Sequence, residues 1–193
     1  MAATVQLQCA CGEVKGQLKV VPGHFFHVHC LCCDCQQFAN ELGNADKILD
    51  KHGGSELFQT YPAYMDITQG KENIACMQLH PKGLYRWYTS CCNMPLANTM
   101  TSGSVPFVGI SVKLMQFADE QTRQDTLGPV TVKAFGKYAI GEMPQDAHER
   151  FPLSSMPKII AFMVKGKFNK RHQPNPFFID GVPVASAVAS LKG

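Results

Sequence analysis

Nine cysteines gathered into three short stretches, with one outlier, constrain this chain more than any other feature. Cys9 and Cys11 open it, Cys30, Cys32, Cys33 and Cys35 crowd into the six positions of CLCCDC, and Cys91 and Cys92 stand side by side, with Cys76 alone between. The start, MAATVQLQCACG, has no basic segment followed by an apolar run, so no secretory leader is expected and a cytoplasmic location is. Thiols stay reduced there, and an odd number of them argues for metal ligation or reactive thiols over a disulfide framework. Reduced cysteine also packs as ordinary core, so position has to decide.

The pattern around these stretches reads as β structure. Val5–Cys9 and Val14–Val21 suit two short strands joined by a turn at Cys11 and Gly12. His24–Cys30 is strand-like, with His27 and His29 on one face, where they are expected to decorate a surface. Gln36–Leu42 reads as a short helix ending at Gly43. Further strands are expected over Glu56–Thr60, Tyr64–Thr68, Ile74–His80, Leu84–Thr89 and Phe107–Leu114, separated by turn residues. Together they predict a mainly β fold of short antiparallel strands over residues 1–117. Residues 118–193 read as an α-containing extension packed on the same domain. Within it VTVKAFGKYAIG is ambiguous, Ser155–Lys165 is helical, and the Pro-rich tail PNPFFIDGVPVAS is laid back over the core.

The spacing of the thiols carries the chemistry. Cys9-Ala10-Cys11 puts two sulfurs on one side of an extended chain, half of a tetrahedral shell. Cys30, Cys32 and Cys35 overlap CxC with CxxC where a strand gives way to a helix, which suits one metal with its fourth position open. An open zinc position lowers the pKa of a bound water or thiol, and that is a route to catalysis. Cys33 could replace a neighbour, serve as a resolving thiol or point into the core. In RWYTSCCNMPL, Cys91 and Cys92 point to opposite sides unless a turn begins there, and Asn93, tolerant of left-handed backbone angles, fits such a turn. Arg86, Trp87 and Tyr88 read as a structural aromatic strand, with a substrate carboxylate as the alternative partner.

The three motifs, Cys9-Ala-Cys11-Gly12, then Cys30-Leu-Cys32-Cys-Asp-Cys35-Gln36, then Tyr88-Thr-Ser-Cys-Cys92-Asn-Met-Pro95-Leu96, resemble the glutathione-dependent formaldehyde-activating enzyme and centromere protein V domain family. The resemblance covers about residues 5–114. It implies an Mss4-like, β-tent zinc fold with one structural zinc, at Cys9, Cys11 and Cys92 with Cys91 as the favoured fourth member, and a more open, catalytic site at Cys30, Cys32 and Cys35. It also implies one or two Zn2+ per chain and a carbon–sulfur lyase type of activity that joins formaldehyde to glutathione. The family's third motif is CxxCG, and this chain has Thr89 and Asn93 where that pattern has cysteine and glycine. The fourth ligand beside Cys9, Cys11 and Cys92 is therefore open between Cys91, Cys76 and water, or the zinc is missing.

With 45% hydrophobic and 17% charged residues and a net charge of +3, the chain reads as an ordinary globular protein. Its one dense basic stretch, Lys165–His172, reads as a solvated turn after a helix, so nucleic acid is not the expected partner. No apolar run is long enough to span a bilayer, and no membrane partner is expected. HExxH, GxSxG, GxxxxGK and dinucleotide fingerprints are absent. Three functions follow in order: a zinc enzyme acting on a small thiol or thiol adduct, a non-catalytic zinc module for protein interaction, and a redox or metal-storage protein using Cys33 and Cys91.

Overall fold

A computed structural model of the chain describes residues 2–189. Strands β1 (Ala3–Gln8) and β2 (Lys15–Val20) form a hairpin, and β3 (Phe26–Cys30) runs into helix α1 (Cys33–Glu41) and the single turn α2 (Ala45–Ile48). Then come β4 (Ser55–Thr60), β5 (Met65–Gln69), β6 (Ile74–Met77), β7 (Tyr85–Thr89), β8 (Pro95–Thr99), β9 (Val108–Ser111) and β10 (Met115–Gln116). The last third supplies helix α3 (Glu120–Leu127), β11 (Val132–Ala134), helix α4 (Met156–Phe168), the pair β12 (Phe178–Ile179) and β13 (Val182–Pro183), and β14 (Ala187–Val188).

The fold is mainly β, as the punctuation of the sequence predicts. One sheet has the order β10-β1-β2-β5; the larger runs β11-β3-β4-β9-β8-β7-β6-β14. Every pairing within residues 2–117 is antiparallel, whereas β11 on β3 and β14 on β6 are parallel. Both outer strands of the large sheet thus come from the last third, which covers edges that would otherwise offer unpaired N–H and C=O groups.

Strand β1 buries Val5 and Leu7 and β2 buries Gly16, Leu18 and Val20, each alternating with exposed neighbours. Gly16 is required by close approach, since a Cβ there would stand 2.3 Å from the Asp66 carbonyl oxygen. The core between the sheets centres on Phe58, Tyr61, Trp87 and Ile110. Trp87 stacks on Phe177 at 4.8 Å and donates its indole N–H to Thr99 Oγ1 at 2.9 Å. The tail is therefore laid over the core, as expected, by its paired phenylalanines.

Two expectations need correction. Helix α1 begins at Cys33 rather than Gln36, because the Cys32 sulfur accepts the Cys35 N–H at 3.4 Å and does the work of a serine N-cap. The histidines of β3 do share a face, but that face is covered. His27 is 2% exposed, with Nε2 2.6 Å from Glu56 and Nδ1 2.9 Å from the Gly128 carbonyl. Residues 118–134 fold back over β3, bringing α3 and Arg123 onto Glu56. His29 meets Asp50 at 2.7 Å.

Candidate metal centres

The hairpin turn after β1 carries the first two thiols. Gly12, at φ +82°, lets the chain double back so that its N–H reaches the Cys9 carbonyl, while the Val14 N–H points at the Cys9 sulfur, 3.3 Å away. The turn after β7 carries the next two. Asn93 adopts the left-handed conformation expected of it, φ +52°, closing a loop in which its N–H meets the Thr89 carbonyl at 2.8 Å. Asn44 ties that loop down through the Cys92 and Asn93 carbonyls. The two turns face each other and bring Cys9, Cys11, Cys91 and Cys92 into one group with all sulfurs within 4.8 Å.

The distances inside this group can be tested against a metal. Four sulfurs held at about 2.3 Å around one ion stand about 3.8 Å apart at the corners of a tetrahedron. The Sγ separations are 3.5 Å for Cys9–Cys11, 3.9 Å for Cys9–Cys91, 3.3 Å for Cys11–Cys91 and 3.9 Å for Cys91–Cys92. None approaches the roughly 2.05 Å of a disulfide, and all nine cysteines are free. The donor set fits a tetrahedral, thiophilic cation. Thr89, where the resembled pattern has a cysteine, instead places its hydroxyl 3.2 Å from Cys92 Sγ and accepts the Met94 N–H. Cys91 occupies the fourth corner, and Cys76 lies in the core with its sulfur on the Met77 carbonyl.

Without an ion the four thiols share charge unequally. Burial opposes ionisation of Cys92, but hydrogen bonds from the Thr89 hydroxyl and from Cys11 and Cys9 outweigh it and bring that thiol down to about 7. Burial, and the hydrogen bonds of Cys91 to the other three, push Cys91 up to about 12. The neighbouring S–H groups ease ionisation of Cys92, and a divalent cation can take the place of those protons.

The second group forms where β3 ends at α1. Cys30, Cys32 and Cys35 place their sulfurs within 4.8 Å of one another, two of them buried. Cys32 and Cys35 sit at the positive end of α1, a setting that favours anionic sulfur. Cys35 is held well below the ordinary thiol range by hydrogen bonds from Cys30 and Cys32 and by the charge of Arg86, against the opposing effect of burial. Cys30 is pushed up by its hydrogen bonds to Cys32 and Cys35 and by burial.

Arg86 is the residue whose role the sequence left open. It is 3% exposed and lies on the face of β7 opposite Trp87, its Nη1 3.8 Å from Cys35 Sγ and 3.4 Å from Asn98 Oδ1, its Nη2 3.4 Å from Asp34. A guanidinium this buried needs opposite charge, and the Cys35 sulfur and the Asp34 carboxylate supply it. Beside them lies a cavity of about 370 Å³, with Gln59, Phe107, Phe135 and Tyr138 among its walls. The tyrosine and Phe135 belong to the region the sequence left ambiguous. Cys33 is exposed, 3.7 Å from the Asp34 carboxylate and outside the group, so it neither ligates here nor packs in the core.

Two cysteine groups among the described residues could thus each hold a metal ion. No curated protein matches this chain. A crystal structure of a Rhodobacter sphaeroides protein from a structural genomics programme is similar over 65% of this chain and 96% of its own, with 17% sequence identity and a TM-score of 0.45. The model of a family of unknown function, DUF6151, matches residues 1–188, and the chain belongs to that family.

Proposed function

We propose that the protein is a zinc enzyme of the β-tent kind. In this reading Cys9, Cys11, Cys91 and Cys92 would hold a structural ion, and Cys30, Cys32 and Cys35 a second one whose open position would supply the Lewis acidity for chemistry at the carbon–sulfur bond of a small thiol. The observation that carries it is the asymmetry between a complete four-thiol shell and a three-thiol shell beside a cavity. Zinc bound by three thiolates offers a fourth position at which a thiol sulfur ionises near neutral pH and becomes a nucleophile. The chain's own residues do the rest. Arg86, beside Cys35, would offset one unit of the negative charge that three thiolates and Asp34 bring to the site and so weaken its repulsion of an incoming anionic sulfur. Asn98 holds the guanidinium in place, and Phe107, Phe135 and Tyr138 keep the cavity partly apolar. In the forward direction the sulfur–carbon bond forms at an aldehyde carbon, the carbonyl π pair moves to oxygen, and that oxygen takes up the proton the thiol gave away.

The test uses metal-loaded protein with glutathione and formaldehyde, followed by the disappearance of free thiol. Adduct formation faster than in buffer, and lost in Cys32→Ser, supports the reading. No acceleration removes this substrate pair. If calorimetry then shows no small thiol binding either, the non-catalytic zinc module takes its place.

A further inference from the structure

Helix α4 is anchored by one face and bare on another. Its buried side is fixed by Phe162, whose ring stacks on Tyr61 with centroids 4.1 Å apart, and by Gly166, where a Cβ would lie 2.4 Å from the Tyr61 ring. The Tyr61 hydroxyl donates to the Phe162 carbonyl at 2.8 Å. At 100° per residue, Met156, Ile160, Val164 and Phe168 advance 40° a step across the side of the helix turned away from Phe162 and Gly166, continued by Leu153 ahead of the helix. These five side chains are 39, 57, 49, 84 and 83% exposed in that order. Among the described residues nothing covers them.

Charge says what would. Residues 151–179 contain Lys158, Lys165, Lys167, Lys170 and Arg171 and no aspartate or glutamate; the rest of the chain has thirteen basic against fifteen acidic residues. The positive balance of the protein therefore sits on this helix and the turn after it. Lys158 and Lys165 run along one margin of the apolar stripe, and Lys167 and Lys170 stand at its C-terminal end, with Lys167 Nζ on the Ser104 carbonyl. A second copy docking by the same face would set these lysines against one another with no acidic group in the segment to pair them. An anionic bilayer surface satisfies both halves, since its acyl region takes the apolar stripe to a depth of roughly 5–10 Å while flanking lysines reach the headgroups.

We infer that α4 is a membrane-surface docking helix that lays Leu153, Met156, Ile160, Val164 and Phe168 into a bilayer carrying anionic lipid, with Lys158 and Lys165 on its headgroups. The sequence expectation of no membrane partner rested on the lack of a spanning run. No helix of the described residues is long and apolar enough to cross a membrane, and a helix lying in the interface needs no such length.

Sedimentation of the full metal-loaded chain with vesicles tests this, using phosphatidylcholine alone against equal parts phosphatidylcholine and phosphatidylserine. The protein is expected to pellet with the anionic vesicles and to come off in high salt. Paired changes Ile160→Ser with Phe168→Ser should abolish pelleting, and each of Lys158→Gln and Lys165→Gln should lower the partition coefficient about fivefold, the equivalent of about 1 kcal/mol per lysine. All four positions are exposed, and an unchanged emission from Trp87, the one tryptophan and fully buried, reports that the variants remain folded. Equal pelleting with both vesicle types, or none, overturns the inference. So does a dimer in solution that disappears in the double serine variant without any vesicle binding, which would assign the stripe to a second copy.

Discussion

The four-thiol and three-thiol groups differ in what surrounds them more than in what they contain. In the first, donors come from two turns, each bent by a left-handed residue, and two of the four sulfurs belong to exposed residues. In the second, donors come from the end of a sheet strand and the first turn of a helix, two of three are buried, and a buried arginine and a cavity stand alongside. A complete shell needs nothing further from its surroundings and tolerates exposure. An incomplete one has a position to guard, and here it is walled by residues from β4, β7, β8, β9 and the segment after β11. The number of donors and the depth of burial thus run in opposite directions, and the proposed division between a structural ion and a ligand-binding one rests on that contrast.

The sharpest way to break this comparison is to cut each group below three sulfurs. Cys11→Ser with Cys91→Ser, both exposed, leaves the first group one donor from each turn. Metal content is expected to fall by one atom per chain, and stability by about 5 kcal/mol or more, since a structural zinc contributes on the order of 10 kcal/mol to a small fold. Elemental analysis with a thermal melt reads both. Cys32→Ser should also cost one atom per chain but only about 1–3 kcal/mol, through loss of the α1 N-cap and of shared hydrogen bonds, because β3 and β4 remain paired along five residues each. Equal stability losses in the two variants would mean that the two groups do not divide into one that holds the fold and one that does not.

Much of this contrast is legible in the residues. CxC and CxxC spacing gives same-side sulfurs, Asn93 before Met-Pro gives the turn, and apolar alternation gives β1 and β2. What the sequence could not supply is contact at a distance. Whether Cys91 or Cys76 closes the first group depends on where the β7 turn lies relative to β1, some 80 residues away. Strand β8 was missed because PLANT is buried along its whole length and shows no alternation. Helix α3 is absent from the sequence expectations, although Asp119 as N-cap, accepting the Thr122 N–H at 2.7 Å, and Gly128 behind it are readable signals. His27 and His29 were placed on the right face of β3 and given the wrong surroundings, since nothing local announces that residues 118–134 return to cover them.

That covered face gives the smallest and most selective probe. Glu56 on β4 sits behind the three-thiol group, on the far side of the sheet from Cys30, and binds both His27 and Arg123. Burial works against its ionisation, but the hydrogen bond from His27 and the charge of Arg123 hold its carboxyl below the usual value. A carboxylate with a lowered folded pKa stabilises fully above its unfolded value and loses that contribution as pH falls through the folded one. Glu56→Gln should therefore cost about 1–3 kcal/mol at neutral pH, less than for a fully buried pair because Glu56 is 27% exposed. Below about pH 4 the difference from wild type should shrink towards zero. Urea melts at several pH values on both proteins read that difference directly, and acid effects on the thiols cancel between them. Because β3 carries His27 on one side and Cys30 on the other, the same substitution should loosen metal at the three-thiol group and leave the four-thiol group full. Release from both groups in parallel would show that the two sites are not held by separate parts of the fold.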